Sequence, residues 1–254
     1  GISQMSGLIE TNEKNGIVEI QMIRKPVNAL NPELVTGIHQ AIDEHTDLGA
    51  KALILSGMEG IFSAGLDVKI LLTLSREDID SFFESFWGLM AKISKSPIPF
   101  VAAITGHSPA GGAVLTTFCD YRIAARGDYK IGMNEVFVGL PVPIIIHKGF
   151  ARLVGENQAT ILTMQGKLMS FELAENIGFL NEVVDQDAVV DRAFEWLDNL
   201  TKLPTNAMNS TRLTAKSELN DLIDRELSLM TNSFSDGWFS DEVQQRMTYI
   251  VENL

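Results

Sequence analysis

The chain has 254 residues, with 33 acidic side chains against 20 basic ones, a formal net charge of -13 and one cysteine. Such a balance excludes a disulfide-stapled fold and argues against a nucleic-acid partner, which needs clustered Lys and Arg to neutralise phosphates. The length suits one hydrophobic core with a smaller appendage, residues 8–190 and 191–254, and no apolar run or basic leader suggests a membrane span or export.

The opening, Gly1 to Gly7, carries no pattern. From Ile17 to Ile23 the alternation of apolar and polar residues predicts a strand, and Pro26 and Asn28 mark a turn after it. Asn31-Pro32-Glu33 opens a helix, with Asn31 as its cap, Pro32 at the first helical position and Leu34, Ile38, Ala41 and Ile42 on one face. Ala52 to Leu55 reads as a buried strand, Gly60 to Asp67 as a loop, and the following residues to about Ile93 as helical. Pro97 and Pro99 stop that helix, Phe100 to Ile104 reads as a second buried strand, and the strand sequence ends at Gly106.

A loop of small residues, His107 to Gly112, then leads to helical sequence from Ala113 to Cys119. Cys119, in an apolar stretch, reads as a small core side chain. The recurrence of strand, tight loop and helix predicts an α/β protein. Beyond Ile144 the pattern is mostly helical, with one short strand at Asn181 to Val184. The last stretch, from Asp191, reads as amphipathic helices in which Trp238 and Phe239 serve either a subunit contact or the core. The Asn199 and Asn209 glycosylation triplets are too short a signal to argue export.

Several site types are missing from the sequence. It has no phosphate loop ending in Gly-Lys-Ser, no three-glycine dinucleotide fingerprint and no nucleophile elbow, and His39, His45, His107 and His147 lack metal-ligand spacing. What remains is two glycine turns, Phe62-Ser63-Ala64-Gly65-Leu66-Asp67 and Pro109-Ala110-Gly111-Gly112. The second opens a helix, where unpaired amides and the helix dipole favour negative charge. Two such amides converging on one oxygen make an oxyanion hole, although either turn taken alone reads first as a tight turn needed for packing.

These two blocks, with Ala103 to Asp120, Tyr121-Arg122-Ile123-Ala124, Asn134-Glu135 and Gly139-Leu140-Pro141, resemble the crotonase superfamily, the enoyl-CoA hydratase/isomerase family. The resemblance spans nearly the whole chain. It implies a spiral of repeated ββα units with a C-terminal helical region that assembles homotrimers or dimers of trimers. It also implies an acyl-CoA substrate of the kind met in fatty-acid β-oxidation, with coenzyme A part of that substrate and no separate cofactor. A bacterial cytoplasm or, after processing, a mitochondrial matrix fits these expectations.

By the same resemblance, the amides of Leu66 and Gly111 form the hole and Glu135 is the catalytic carboxylate. Ala64, Gly65, Asp67 and Val68 touch the coenzyme, with Asp67 fixing its loop. Arg24 and Lys25 lie near the coenzyme phosphates, unless they are merely solvated. Val114, Met133, Phe137 and Leu140, with Ile144, line the acyl tunnel or pack the core. Hydratases of this family carry a second glutamate at the position held here by Val114. Its absence points to the Δ3,Δ2-enoyl-CoA isomerase branch, since a double-bond shift needs only one group that takes and returns a proton. A hydratase, hydrolase or decarboxylase, with His107 or another group replacing the second acid, is the alternative, and an idle scaffold the third.

Overall fold

The computed structural model describes residues 7–254, and apart from Gly7 the patternless opening lies outside them. Two sheets are built together by a chain that visits each in turn. The larger has the order β1-β2-β3-β5-β7-β10, from β1 (Ile9–Lys14), β2 (Ile17–Met22), β3 (Ala52–Ser56), β5 (Phe100–Ile104), β7 (Tyr121–Ala125) and β10 (Glu182–Val184). The smaller has the order β4-β6-β8-β9, from β4 (Gly60–Ile61), β6 (Gly106–Pro109), β8 (Lys130–Gly132) and β9 (Met169–Ser170). Strands β3, β5 and β7 join the large sheet in parallel, and the strand after each, β4, β6 and β8, joins the small one in parallel. Each turn of this spiral therefore lays down one strand in each sheet before a helix returns.

Local sequence explains most of these elements. Helix α1 (Pro32–Asp47) starts where expected, since the Asn31 side chain accepts the Leu34 N–H at 2.9 Å and Pro32 fills the first helical position. Strands β3 and β5 are buried at every residue, which fits parallel strands covered on both faces. The close approach of β4 and β6 depends on Gly106, because a Cβ there would sit 1.9 Å from the Gly60 carbonyl carbon.

Three boundaries differ from expectation. β1 pairs antiparallel with β2 through the Asn15-Gly16 turn, both residues having positive φ as a two-residue hairpin requires. Its polar sequence hides it, because only Ile9 is buried. The strand Phe100–Ile104 lies where expected, but the supposed loop from His107 holds most of the separate strand β6. Two short helices and a long one follow the first two turns of the spiral: α2 (Val68–Leu71) and α3 (Arg76–Ser94), then α4 (Gly111–Thr117), which starts two residues before Ala113.

The remaining helices are α5 (Ile144–Val154), α6 (Glu156–Gln165), α7 (Phe171–Asn176), α8 (Val189–Thr201), α9 (Thr205–Ala215), α10 (Ser217–Trp238) and α11 (Asp241–Glu252). α8 covers one face of the large sheet, where Phe194 and Leu197 meet Ile54, Val101 and Ile123. The main core fills the other side and includes α3 and α10, whose aromatic rings interlock: Phe83 lies 4.7 Å and Trp87 5.2 Å from Phe234, centre to centre. Trp238 is fully buried in this core, whereas Phe239 is 37% exposed under the Arg76 guanidinium. Asp120 fastens α9 and α10 to the sheet: it accepts the Phe100 N–H at 2.8 Å, Arg212 at 3.2 Å and the buried Lys216 ammonium at 3.0 Å. Cys119 is buried, its thiol pushed up to about 12 by burial, which makes it a core side chain. Among the described residues no helix is long and apolar enough to cross a membrane.

Candidate active site

The first glycine turn is braced from beneath by Asn28. Its Nδ2 donates to the Met22 and Phe62 carbonyls, both at 3.0 Å, and its own carbonyl accepts the Ser63 hydroxyl at 2.8 Å. Ser63 Oγ in turn accepts the Gly65 N–H. Leu30 then grips the turn on both sides of Leu66: its N–H donates to the Gly65 carbonyl at 2.8 Å and its carbonyl accepts the Asp67 N–H at 3.0 Å. In a parallel bridge of this kind the middle residue turns its own amide away from the partner strand. The Leu66 N–H accordingly points away from Leu30.

The second turn is equally constrained. Ala110 holds φ 50°, a region few non-glycine residues adopt, and its N–H donates to the Gly132 carbonyl at 2.8 Å. That bend makes Gly111 the first residue of α4, where an N–H has no intrahelical acceptor. The turns touch: a Cβ on Gly65, whose φ is already +92°, would lie 3.3 Å from the Gly111 nitrogen. Among the described residues neither the Leu66 nor the Gly111 N–H donates to any acceptor. Two unpaired amides on adjoining turns are what an oxyanion needs.

Both turns border a cavity of about 200 Å³. Glu135 enters it from a short 3-10 turn, Glu135–Val138, which Gly139 ends in the left-handed conformation with the Leu140 N–H donating to the Glu135 carbonyl. The carboxyl oxygen Oε2 is buried without a hydrogen-bond partner. Burial pushes the Glu135 carboxyl up to about 7, against a small lowering by its own backbone N–H, so near neutrality both protonation states are populated. A carboxyl of this kind can take a proton and give it back.

Of the residues singled out from the sequence, Leu66, Gly111, Val114, Glu135, Ala64, Val68 and Leu140 all line this cavity. Val114, one helical turn beyond the Gly111 amide, is 2% exposed and presents only methyl groups. Phe137 does not line it. The side chain sits on the outer side of the 3-10 turn, 62% exposed and packed over Gly166. With three residues per turn only residues three apart share a face, so Glu135 and Phe137, two apart, point in different directions. Met133 is a core residue outside the lining, and Ile144, 47% exposed, borders a separate surface depression with Leu140.

Asp67 fixes its loop, with one carboxylate oxygen accepting the Ile70 N–H at 3.2 Å to cap α2 and the other accepting Arg24 at 2.7 Å. Arg24 also donates to the Ala29 carbonyl, so its guanidinium is partly committed, while Lys25 is exposed and forms no ion pair among the described residues. His107 is outside the cavity. Its Nδ1 accepts the Lys130 N–H at 3.1 Å and its ring stands edge-on to Tyr129.

Sequence reasoning missed the rest of the wall. Phe86 and Trp87 come from α3, Phe234 from α10, Met247 and Ile250 from α11, and Asn134 and Val138 from the turn that carries Glu135. The aromatic run Phe82-Phe83 with Phe86-Trp87 was the available signal, although at helical spacing it reads as core. Wider depressions include one of about 770 Å³ beside Lys148 and Arg225 and one of about 540 Å³ beside Trp196 and Met208. Neither joins a buried, partnerless carboxyl to unpaired amides. No cluster of metal-binding side chains occurs among the described residues.

Known proteins share this chain's sequence pattern and fold. The chain is 27% identical over 250 residues to the mouse mitochondrial enoyl-CoA delta isomerase 1, covering 97% of this chain and 86% of that protein. It is 24% identical over 248 residues to a probable enoyl-CoA hydratase of Mycobacterium bovis, covering 96% and 94%. Its fold superposes on the crystal structure of human mitochondrial delta3-delta2-enoyl-CoA isomerase with a TM-score of 0.92 at 23% identity, covering 97% of each chain. The enoyl-CoA hydratase/isomerase family model matches residues 12–254. The chain belongs to that family of acyl-CoA enzymes, and its fold is the crotonase fold.

Proposed function

We propose that the protein is a Δ3,Δ2-enoyl-CoA isomerase with Glu135 as its single acid–base group. The observation that carries this reading is the cavity's chemistry: one buried carboxyl, two unpaired amides and, at the position of the hydratases' second glutamate, the methyls of Val114. The Glu135 carboxylate takes a proton from C2 of a 3-enoyl thioester. The C–H electron pair forms the C1–C2 double bond as the carbonyl electrons move onto oxygen, which the Leu66 and Gly111 amides receive. When the dienolate collapses, its carbonyl re-forms, the double bond settles between C2 and C3, and C4 takes the proton back from Glu135. No atoms are gained or lost, so no water need be held.

The coenzyme portion would lie over Ala64 to Val68, with Lys25 and the partly committed Arg24 toward its phosphates. The family resemblance implies an assembly of three copies or of paired trimers through the C-terminal helices, and α9, with no buried residue in the single chain, leaves its surface open to such a contact. One observation favours the hydratase reading: the Asn134 side chain lines the cavity without a hydrogen-bond partner among the described residues and could hold a water. Product analysis separates the two. Isomerisation of 3-hexenoyl-CoA faster than hydration of crotonyl-CoA supports the isomerase, and the reverse order supports the hydratase.

A further inference from the structure

The last helix, α11, contributes Met247 and Ile250 to the cavity that holds the Glu135 carboxyl. It also rests on the turn that carries the base. Glu242 and Val243 pack at Gly139, where a Cβ would lie 3.4 Å from both, and Arg246 donates to the Phe137 carbonyl at 3.4 Å. Of the helix's own residues only Val243 and Met247 are buried, so a narrow apolar seam seats it. Elements held by so few buried side chains open locally at low free-energy cost.

Charged groups do not govern the carboxyl. On α11 Glu242 is paired with Arg246 at 3.4 Å. Beside the glycine turn Asp67 is paired with Arg24, on α10 Asp236 with Arg76, on α3 Lys92 with Asp43, and on α6 Glu156 with Lys148. Asp241, Lys69, Glu84 and Lys167 are exposed. Burial is the leading cause acting on Glu135, and α11 brings two of the side chains that line its cavity.

We propose that Met247 and Ile250 are positioning residues for Glu135: by roofing the cavity they exclude water from its carboxyl, so that the seating of α11 switches the base between a solvated and a dry state. The proposal rests on the reading of Glu135 as the base, whereas the exclusion of water does not.

The test is a 13C NMR titration of the glutamate δ-carbons, with the Glu135 signal identified by its loss in Glu135→Gln. Wild type, Met247→Leu, Met247→Gln and the pair Met247→Gln with Ile250→Ser are compared. Wild type is expected to titrate near 7 and Met247→Leu to keep that midpoint. The polar variants fall by about one unit or more toward the ordinary carboxylate range, and the acid limb of kcat/KM moves with them. An unchanged midpoint in a polar variant whose circular dichroism matches wild type overturns the proposal, and if the double variant fails to fold, Met247→Gln alone decides. Should the midpoints move while wild type isomerises no enoyl-CoA, the isomerase reading falls and the roofing role stands.

Discussion

Val114 and Glu135 line one cavity from two turns of the spiral, Val114 from the helix after β6 and Glu135 from the turn after β8. A methyl-bearing wall beside one partnerless carboxyl is what the proposed single-base chemistry needs. It also places a burial cost on the charged form of Glu135 that the fold carries whenever that carboxyl is ionised.

That cost has a measurable sign. The folded-state pKa of Glu135 is raised, so between about 4.5 and about 7 the native protein holds a proton that the unfolded chain has released, and stability falls as pH rises through that window. The loss is complete above 7 and amounts to roughly 3 kcal/mol as an upper bound. Glu135→Gln is expected to be more stable than wild type at pH 8, with the difference fading toward pH 4. Thermal unfolding at a series of pH values checks this, and a variant that is less stable at pH 8 would contradict it.

Val114→Glu places a second carboxyl across the cavity. Hydration of crotonyl-CoA should rise above the wild-type level, because two acids can orient and deprotonate a water. Stability should drop by several kcal/mol, since the new group is buried among apolar side chains. Assay of 3-hydroxybutyryl-CoA and chemical denaturation report the two effects separately.

Asn28 holds the turn that presents the Leu66 amide. Asn28→Gly preserves the φ of 52° but leaves the Met22 and Phe62 carbonyls without their donor, so a loss of about 2 kcal/mol is expected. Turnover should fall more than substrate binding, because a misplaced amide weakens the transition state more than the ground state. A variant with kcat unchanged and KM raised would show that Asn28 does not position the hole.

Asp120→Ala strands the buried Lys216 and the nearly buried Arg212 without their shared carboxylate. About 3–5 kcal/mol of stability should be lost, and hydrogen exchange should quicken first in α9 and α10.

The elements were legible in the sequence wherever a local rule acts alone. Asn31 and Pro32 announce α1 through backbone capping, and the unbroken apolar runs of β3 and β5 announce strands covered on both faces. β1 escaped because an edge strand need bury only one residue, Ile9, and the two- to four-residue strands of the small sheet escaped because so few residues carry no period. At the site, the glycine turns and Glu135 were visible because backbone presentation and a family block demand particular residues. Phe86, Trp87, Phe234, Met247 and Ile250 were not, since a cavity wall and a core use the same side chains and only the packing of α3, α10 and α11 distinguishes them.

The most direct measurement is the turnover of 3-hexenoyl-CoA by wild type and by Glu135→Gln, with folding of both confirmed by circular dichroism. A single acid–base carboxyl predicts conversion to 2-hexenoyl-CoA by wild type and a fall in kcat of roughly 10² to 10⁴ in the variant. Comparable turnover by a folded Glu135→Gln would contradict the account.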